Sequence, residues 1–155
     1  MFNEYPFRFV SEIKPERNSS GLVIEEFPQS RYRNVKDLPL NQHGQGPFCC
    51  FKLEKKFSES GIYALMINAT PVYIGMCNNL HERFGSRGYG KIHPRNCFKG
   101  GQSTNCHINN KILTAVKSKM EIELWFYPIS NTDERKRLEE KLINFLKPAW
   151  NIQLV

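Results

Sequence analysis

From Gly61 onward apolar and polar positions alternate with clear periods, whereas residues 1 to 59 show only short apolar pieces broken by turn signals. Gly61 to Ile67 is β-rich, Asn68-Ala69-Thr70-Pro71 reads as a turn, and Val72 to Met76 is apolar again, which predicts a β-hairpin. Asn78 to Phe84 fits a short helix ended by Gly85. Ile108, Ile112, Leu113 and Val116 then recur at helical spacing, with Ser103 or Thr104 as the N-cap. Glu121 to Tyr127 reads as a strand stopped by Pro128. Thr132 is placed to cap a last helix with Asp133 and Glu134 in its first turn and Pro148 at its end. Before residue 60, Asn18-Ser19-Ser20-Gly21, Pro28, Pro39 and His43-Gly44-Gln45-Gly46-Pro47 predict irregular structure with short strands, chiefly Phe48 to Leu53. The expected class is therefore α/β of the α+β kind.

With 155 residues the chain has room for one well-packed domain. A composition of 40% hydrophobic and 24% charged residues excludes wholesale disorder, a collagen-like chain and a coiled coil. Apolar runs of a few residues exclude a membrane-spanning helix, which needs roughly 20. Met1 to Val10 carries Glu4 and Arg8 among aromatics and lacks the layout of a signal peptide, so a cytoplasmic protein without a membrane partner is expected. Cys49, Cys50, Cys77, Cys97 and Cys106 are odd in number and form no CxxC pair, which predicts reduced thiols. Cys97, Cys106 and His107 match no common zinc spacing.

The formal charge of +7 is concentrated. Between Asn78 and Lys119, Arg83, Arg87, Lys91, Arg95, Lys99, Lys111, Lys117 and Lys119 face one acid, Glu82, and the rest of the chain balances. A one-sided field of this kind favours a polyanion, nucleic acid above all; the plainer alternative is a solvated basic face. Five glycines, 85, 88, 90, 100 and 101, lie in the same stretch, and Tyr89, His93 and Asn105 add stacking and hydrogen-bonding groups to Arg87, Lys91, Arg95 and Lys99. Arg31 and Arg33, in Gln29-Ser30-Arg31-Tyr32-Arg33-Asn34, are further candidates for reading base edges or phosphates, although a soluble loop has the same makeup.

The last helix holds an anomaly. Glu139 stands at i with Leu142, Ile143 and Leu146 at i+3, i+4 and i+7, so a carboxylate lies on the stripe expected to face the core. Glu140 falls on the other face, with Lys136, Asn144 and Lys147. A carboxylate on a buried edge requires a cation, a metal or donors, and an ion pair to a border arginine is the bland solution.

Gly61-Ile62-Tyr63 followed by Tyr73-Ile74-Gly75, with the tyrosines ten residues apart, resembles the signature of the GIY-YIG nuclease superfamily. Asn79-Leu80 with Arg83, then Glu139-x-x-Leu142-Ile143 and Pro148-x-Trp150-Asn151, follow in family order, so the resemblance spans about residues 60 to 152. It implies a small three-stranded central β-sheet flanked by helices, with residues 1–59 as an N-terminal extension and 60–155 as the nuclease domain. Tyr63 and Tyr73 would line the site and position or deprotonate water, Arg83 would hold the scissile phosphate, Glu139 would bind one divalent metal, and Asn151 would support the site. Mg²⁺ is the hard, oxygen-liganded default, with Mn²⁺ as substitute. Two departures stand out: Met76 occupies a place where many members have lysine, and Arg87 one where they have histidine or tyrosine.

The hairpin sets a test for the tyrosines. A three-residue loop, Asn68 to Thr70, pairs Leu65 with Tyr73 and puts both tyrosines on one face; a two-residue loop separates them. The resemblance implies a metal-dependent DNA endonuclease, with a restriction-like enzyme on double-stranded DNA, acting as a homodimer, as the leading expectation. The alternatives are a structure-selective or single-strand nuclease and a non-cleaving binding module.

Overall fold

The computed structural model describes residues 4–32 and 38–152. It contains strands β1 (Arg8–Glu12), β2 (Gly61–Ile67), β3 (Thr70–Cys77) and β4 (Glu123–Pro128), and helices α1 (Leu80–Arg83), α2 (Ser103–Lys117) and α3 (Thr132–Leu146). Short 3-10 turns lie at Pro28–Arg31 and Pro94–Cys97. No helix among the described residues is long and apolar enough to cross a membrane. The fold class is the α+β one expected.

The four strands form one antiparallel sheet in the order β1-β4-β2-β3, so the expected three strands gain an edge strand from the N-terminal stretch. Pattern reading misses β1 because Arg8 and Phe9 are exposed and the rest is half-buried, leaving no clean alternation. The chain divides into two compact units, each assembled from discontinuous stretches, and they cut the sequence differently from a division at residue 59.

The first unit comprises Met1–Ile13, Glu54–His81 and Glu121–Val155. Ile62, Ala64, Met66 and Ile74 project from one sheet face and pack with Phe7 and with Leu138 and Leu142 of α3. Asn131, not Thr132, caps α3: its Oδ1 accepts the Glu134 N–H at 3.0 Å, and Thr132 is the first helical residue. Lys147, in the left-handed region at φ 45°, closes the helix before Pro148. The first two amides of α1 are satisfied by Glu59 and Phe57 carbonyls, at 3.0 and 2.8 Å. The helix is a single turn rather than the expected Asn78–Phe84, since the Asn78 side chain is engaged by Arg135 at 2.9 Å.

The second unit comprises Lys14–Leu53 and Glu82–Met120. Phe48 to Leu53 is not a strand; only Phe48 forms a bridge, to Glu26. Phe48 to Phe51 is buried, but its peptides find scattered partners: Cys49 pairs with the Asn109 side chain, Cys50 O accepts Glu16 N–H, and Phe51 N–H donates to Gly90 O. Asparagines replace strand neighbours throughout the unit. Asn41 donates to Asn96 O and Phe98 O, and Asn110 to Pro47 O. α2 starts after Gln102 with no side-chain cap, in place of capping by Ser103 or Thr104, because the turn at Gly100, φ 87°, and Gly101 leads directly into it.

Candidate active site

The two tyrosines owe their common face to a compensated hairpin. Asn68 and Ala69, at φ 50° and 60°, form a two-residue turn in which Ile67 pairs with Thr70. By parity that turn alone would separate the tyrosines. Pro71, without an N–H, pairs with Met66, and the next pair is Leu65 with Tyr73, so Val72 is an extra, bulged residue that shifts every later side chain by one. The Val72 carbonyl accepts the Trp150 N–H at 2.8 Å. Tyr63 and Tyr73 consequently lie on one face with ring centroids 6.1 Å apart and planes inclined by 37°. Tyr63 is buried, at 1% exposure, and Tyr73 half-buried.

Gly75 pairs directly with Tyr63, and a Cβ at that position would collide with the Tyr63 hydroxyl and ring. The glycine of the second tripeptide is thus the floor on which the first tyrosine rests.

β3 is an edge strand, and its outer peptides need partners. Asn151 supplies them: its Oδ1 accepts the Ile74 N–H at 3.0 Å and its Nδ2 donates to Ile74 O at 2.8 Å. The side-chain amide thereby pins the peptide between Tyr73 and Gly75. Glu139 lies half-buried on α3 between buried Leu138 and Leu142, while Glu140 is exposed, as the periodicity predicts. Among the described residues no group of three or more His, Cys, Asp or Glu is assembled for a metal. A single carboxylate suits Mg²⁺, which keeps several waters and takes further oxygens from a phosphate.

Arg83 is the last residue of α1. Its guanidinium carbon stands 5.9 Å from the centroid of the Tyr89 ring, and its carbonyl accepts the Tyr89 N–H at 2.8 Å. A Cβ at Gly88 would strike that same carbonyl, so the loop of residues 85 to 90 closes tightly on Arg83.

Of the residues expected to meet nucleic acid, Arg31, Arg87, Lys91 and Lys99 are exposed. Arg33 lies outside the described residues. Tyr89 is 1% exposed with its ring edge-on to Phe84, which takes it out of contact with bases. Asn105 is buried and bonds Arg87 O and the Gln102 side chain. Arg95 donates to Phe98 O and Lys99 O, and His93 Nδ1 accepts the Arg95 N–H, so both serve the turn they occupy. The five cysteines are free and buried. Burial pushes the Cys49 and Cys50 thiols up to about 12. Sequence reading overlooks buried Asn109 and Arg135, whose polarity inside a core is their only signal.

Charge follows the units. The second holds fourteen Lys and Arg against five Asp and Glu, and the first eight against ten.

No family model matches the chain. No curated protein matches it either. Among solved structures, a mutant of bacteriophage T4 EndoII aligns over 97% of this chain and 96% of its own, with 20% identity and a TM-score of 0.56. With the two tripeptides on paired strands and Glu139 on the last helix, that likeness decides the architecture. The chain has the GIY-YIG nuclease fold. The GIY-YIG N-terminal endonuclease domain of UvrC from Thermotoga maritima, bound to its catalytic magnesium, aligns more loosely: 63% of this chain, 88% of that one, 22% identity and a TM-score of 0.41.

Proposed function

We propose that the protein is a metal-dependent endonuclease that hydrolyses phosphodiester bonds of double-stranded DNA at specific sequences, in the manner of a restriction enzyme. The observation that carries this reading is the Tyr63–Tyr73 pair, held on one face by the Val72 bulge and seated on Gly75. A fold built only for stability has no need of two phenols and a glycine floor at adjoining positions. The charge of the second unit supports a nucleic acid substrate.

In this reading a phenol hydroxyl of the pair orients the attacking water. Arg83 offers paired donors to the scissile phosphate and meets the charge that develops there. Glu139 would hold the divalent cation, Mg²⁺ or Mn²⁺ in its place, which would polarise the phosphate when bound. Asn151 keeps the Tyr73–Gly75 stretch of β3 in register. Exposed Arg31, Arg87, Lys91 and Lys99 contact the DNA backbone. A homodimer matches a palindromic site by two-fold symmetry.

The test is incubation with plasmid and genomic DNA, with Mg²⁺ and with chelator, beside Glu139→Ala. Discrete bands that need the metal and vanish in the variant support the reading. Smears or nicks replace it with a less selective nuclease, and shifted but intact DNA replaces it with a binding module.

A further inference from the structure

Asn109 is a fully used buried polar side chain of the second unit. It lies on α2 with 0% exposure. Its Oδ1 accepts the Cys49 N–H at 2.9 Å, and its Nδ2 donates to Cys49 O at 2.9 Å and to Tyr89 O at 2.8 Å. Both amide hydrogens and the oxygen are spent on buried backbone groups. Aspartate, close in volume, has no hydrogen to give either carbonyl, and leucine has no polar atom for any of the three bonds.

What Asn109 holds is the residue beneath Arg83. Tyr89 presents its ring 5.9 Å from the guanidinium carbon, turns its edge to Phe84 at 5.1 Å, and donates its own N–H to the Arg83 carbonyl. Arg83 ends a helix of four residues, too short to hold a fixed geometry by its own hydrogen bonds. The chain that folds back on it contributes to its direction through the Tyr89 ring and N–H, and that chain is anchored at Tyr89 by Asn109.

We infer that Asn109 is a positioning residue for Arg83, acting through the Tyr89 ring and backbone. The role rests on the nuclease reading above for its catalytic consequence, and on the geometry alone for the placement of the guanidinium. Tyr89 brings an aromatic ring to the arginine from a loop closed by Gly88.

A double-mutant cycle on the full chain tests it, read as single-turnover cleavage of plasmid with Mg²⁺ and as DNA affinity by anisotropy. Asn109→Asp and Tyr89→Leu are each made with Arg83 and with Arg83→Lys. Acting through the guanidinium, each slows cleavage by about tenfold beside Arg83 and by less than about twofold beside Arg83→Lys, with affinity held within about twofold. The same factor in both backgrounds would overturn the inference, because a general loss of structure does not depend on residue 83. If Asn109→Asp fails to melt cooperatively, Tyr89→Phe against Tyr89→Leu decides: the phenyl ring is expected to cut about tenfold faster than leucine, and equal rates sink the proposal. If the parent protein cuts nothing, the nuclease reading fails instead, and the placement is judged by NMR. The Arg83 side-chain N–H, assigned with Arg83→Lys, is shifted by the Tyr89 ring current; a signal unchanged in Tyr89→Leu overturns the placement as well.

Discussion

Gly75 pairs with Tyr63 across strands β2 and β3, and the phenol ring occupies the space that a side chain at 75 would fill. Gly75→Ala forces the ring off its seat or opens the strand pair, at a cost of about 1–3 kcal/mol. Urea unfolding is expected to show that loss. On the proposed nuclease reading, cleavage is expected to fall further, on the order of a hundredfold, because displacing a group that orients the reaction costs rate faster than stability. A variant with native stability and native rate contradicts the packing described.

Ala69 occupies the second position of the hairpin turn at φ 60°, where a side chain is disfavoured by about 1–2 kcal/mol. Asn-Gly is the preferred pair for this turn. Ala69→Gly relieves the strain but adds freedom to the unfolded chain, so a net gain of about 0.5–1 kcal/mol is expected. Thermal melting checks it, and a lower midpoint rules it out. Because the extra residue Val72 lies beyond the turn, on the proposed reading cleavage is expected to stay unchanged.

The hairpin, α2, β4 and α3 were legible because their signals are local: alternation, helical spacing and a terminal proline. The joint face of Tyr63 and Tyr73 was not, since a two-residue turn argues against it and only the extra Val72 restores it. Phe48 to Leu53 reads as a strand from its apolar run, yet its partners are the Asn109 amide and scattered backbone groups, which leave no periodic trace. Glu139 was visible as a carboxylate on an apolar stripe. Charge counting located the basic segment but could not separate exposed Lys91 and Lys99 from Arg95, whose guanidinium closes its own turn.

Asn151 exchanges two hydrogen bonds with the Ile74 peptide. Asn151→Asp keeps the acceptor and places a carboxylate against the Ile74 carbonyl, a change expected to destabilise by about 1–3 kcal/mol. Hydrogen exchange locates the effect: the Ile74 amide is released in Asn151→Ala, whereas strand β2, paired on both sides by β3 and β4, keeps its protection. Uniform loss of protection contradicts a local clamp.

His43 has its pKa lowered, first by burial and then by His107, whose ring is 4.7 Å away, and Lys111. Protonation is thus disfavoured in the folded chain, and the unfolded chain takes up the proton first as pH falls through 6.5. The contribution is complete above that value and is lost as pH drops toward the lower folded value. His43→Asn is expected to lose less stability than the parent between about pH 7.5 and about pH 5. Parallel losses in the two proteins remove His43 from the acid response.

Lys99 and Arg95 belong to one basic turn but spend their charge differently. Lys99 is exposed, while Arg95 Nη1 donates to Phe98 O at 3.4 Å and Lys99 O at 3.1 Å. Each cation on a DNA phosphate adds about 0.9 to the slope of log affinity against log salt. Lys99→Gln is therefore expected to lower that slope by about 0.9 without moving the melting temperature. Arg95→Gln is expected to lower the melting temperature, since two carbonyls lose a charged donor worth about 1.5–3 kcal/mol, and to leave the slope in place. Anisotropy titrations at several KCl concentrations, set beside thermal melts, separate the two residues. The reverse pattern would move the proposed DNA contact from Lys99 to Arg95.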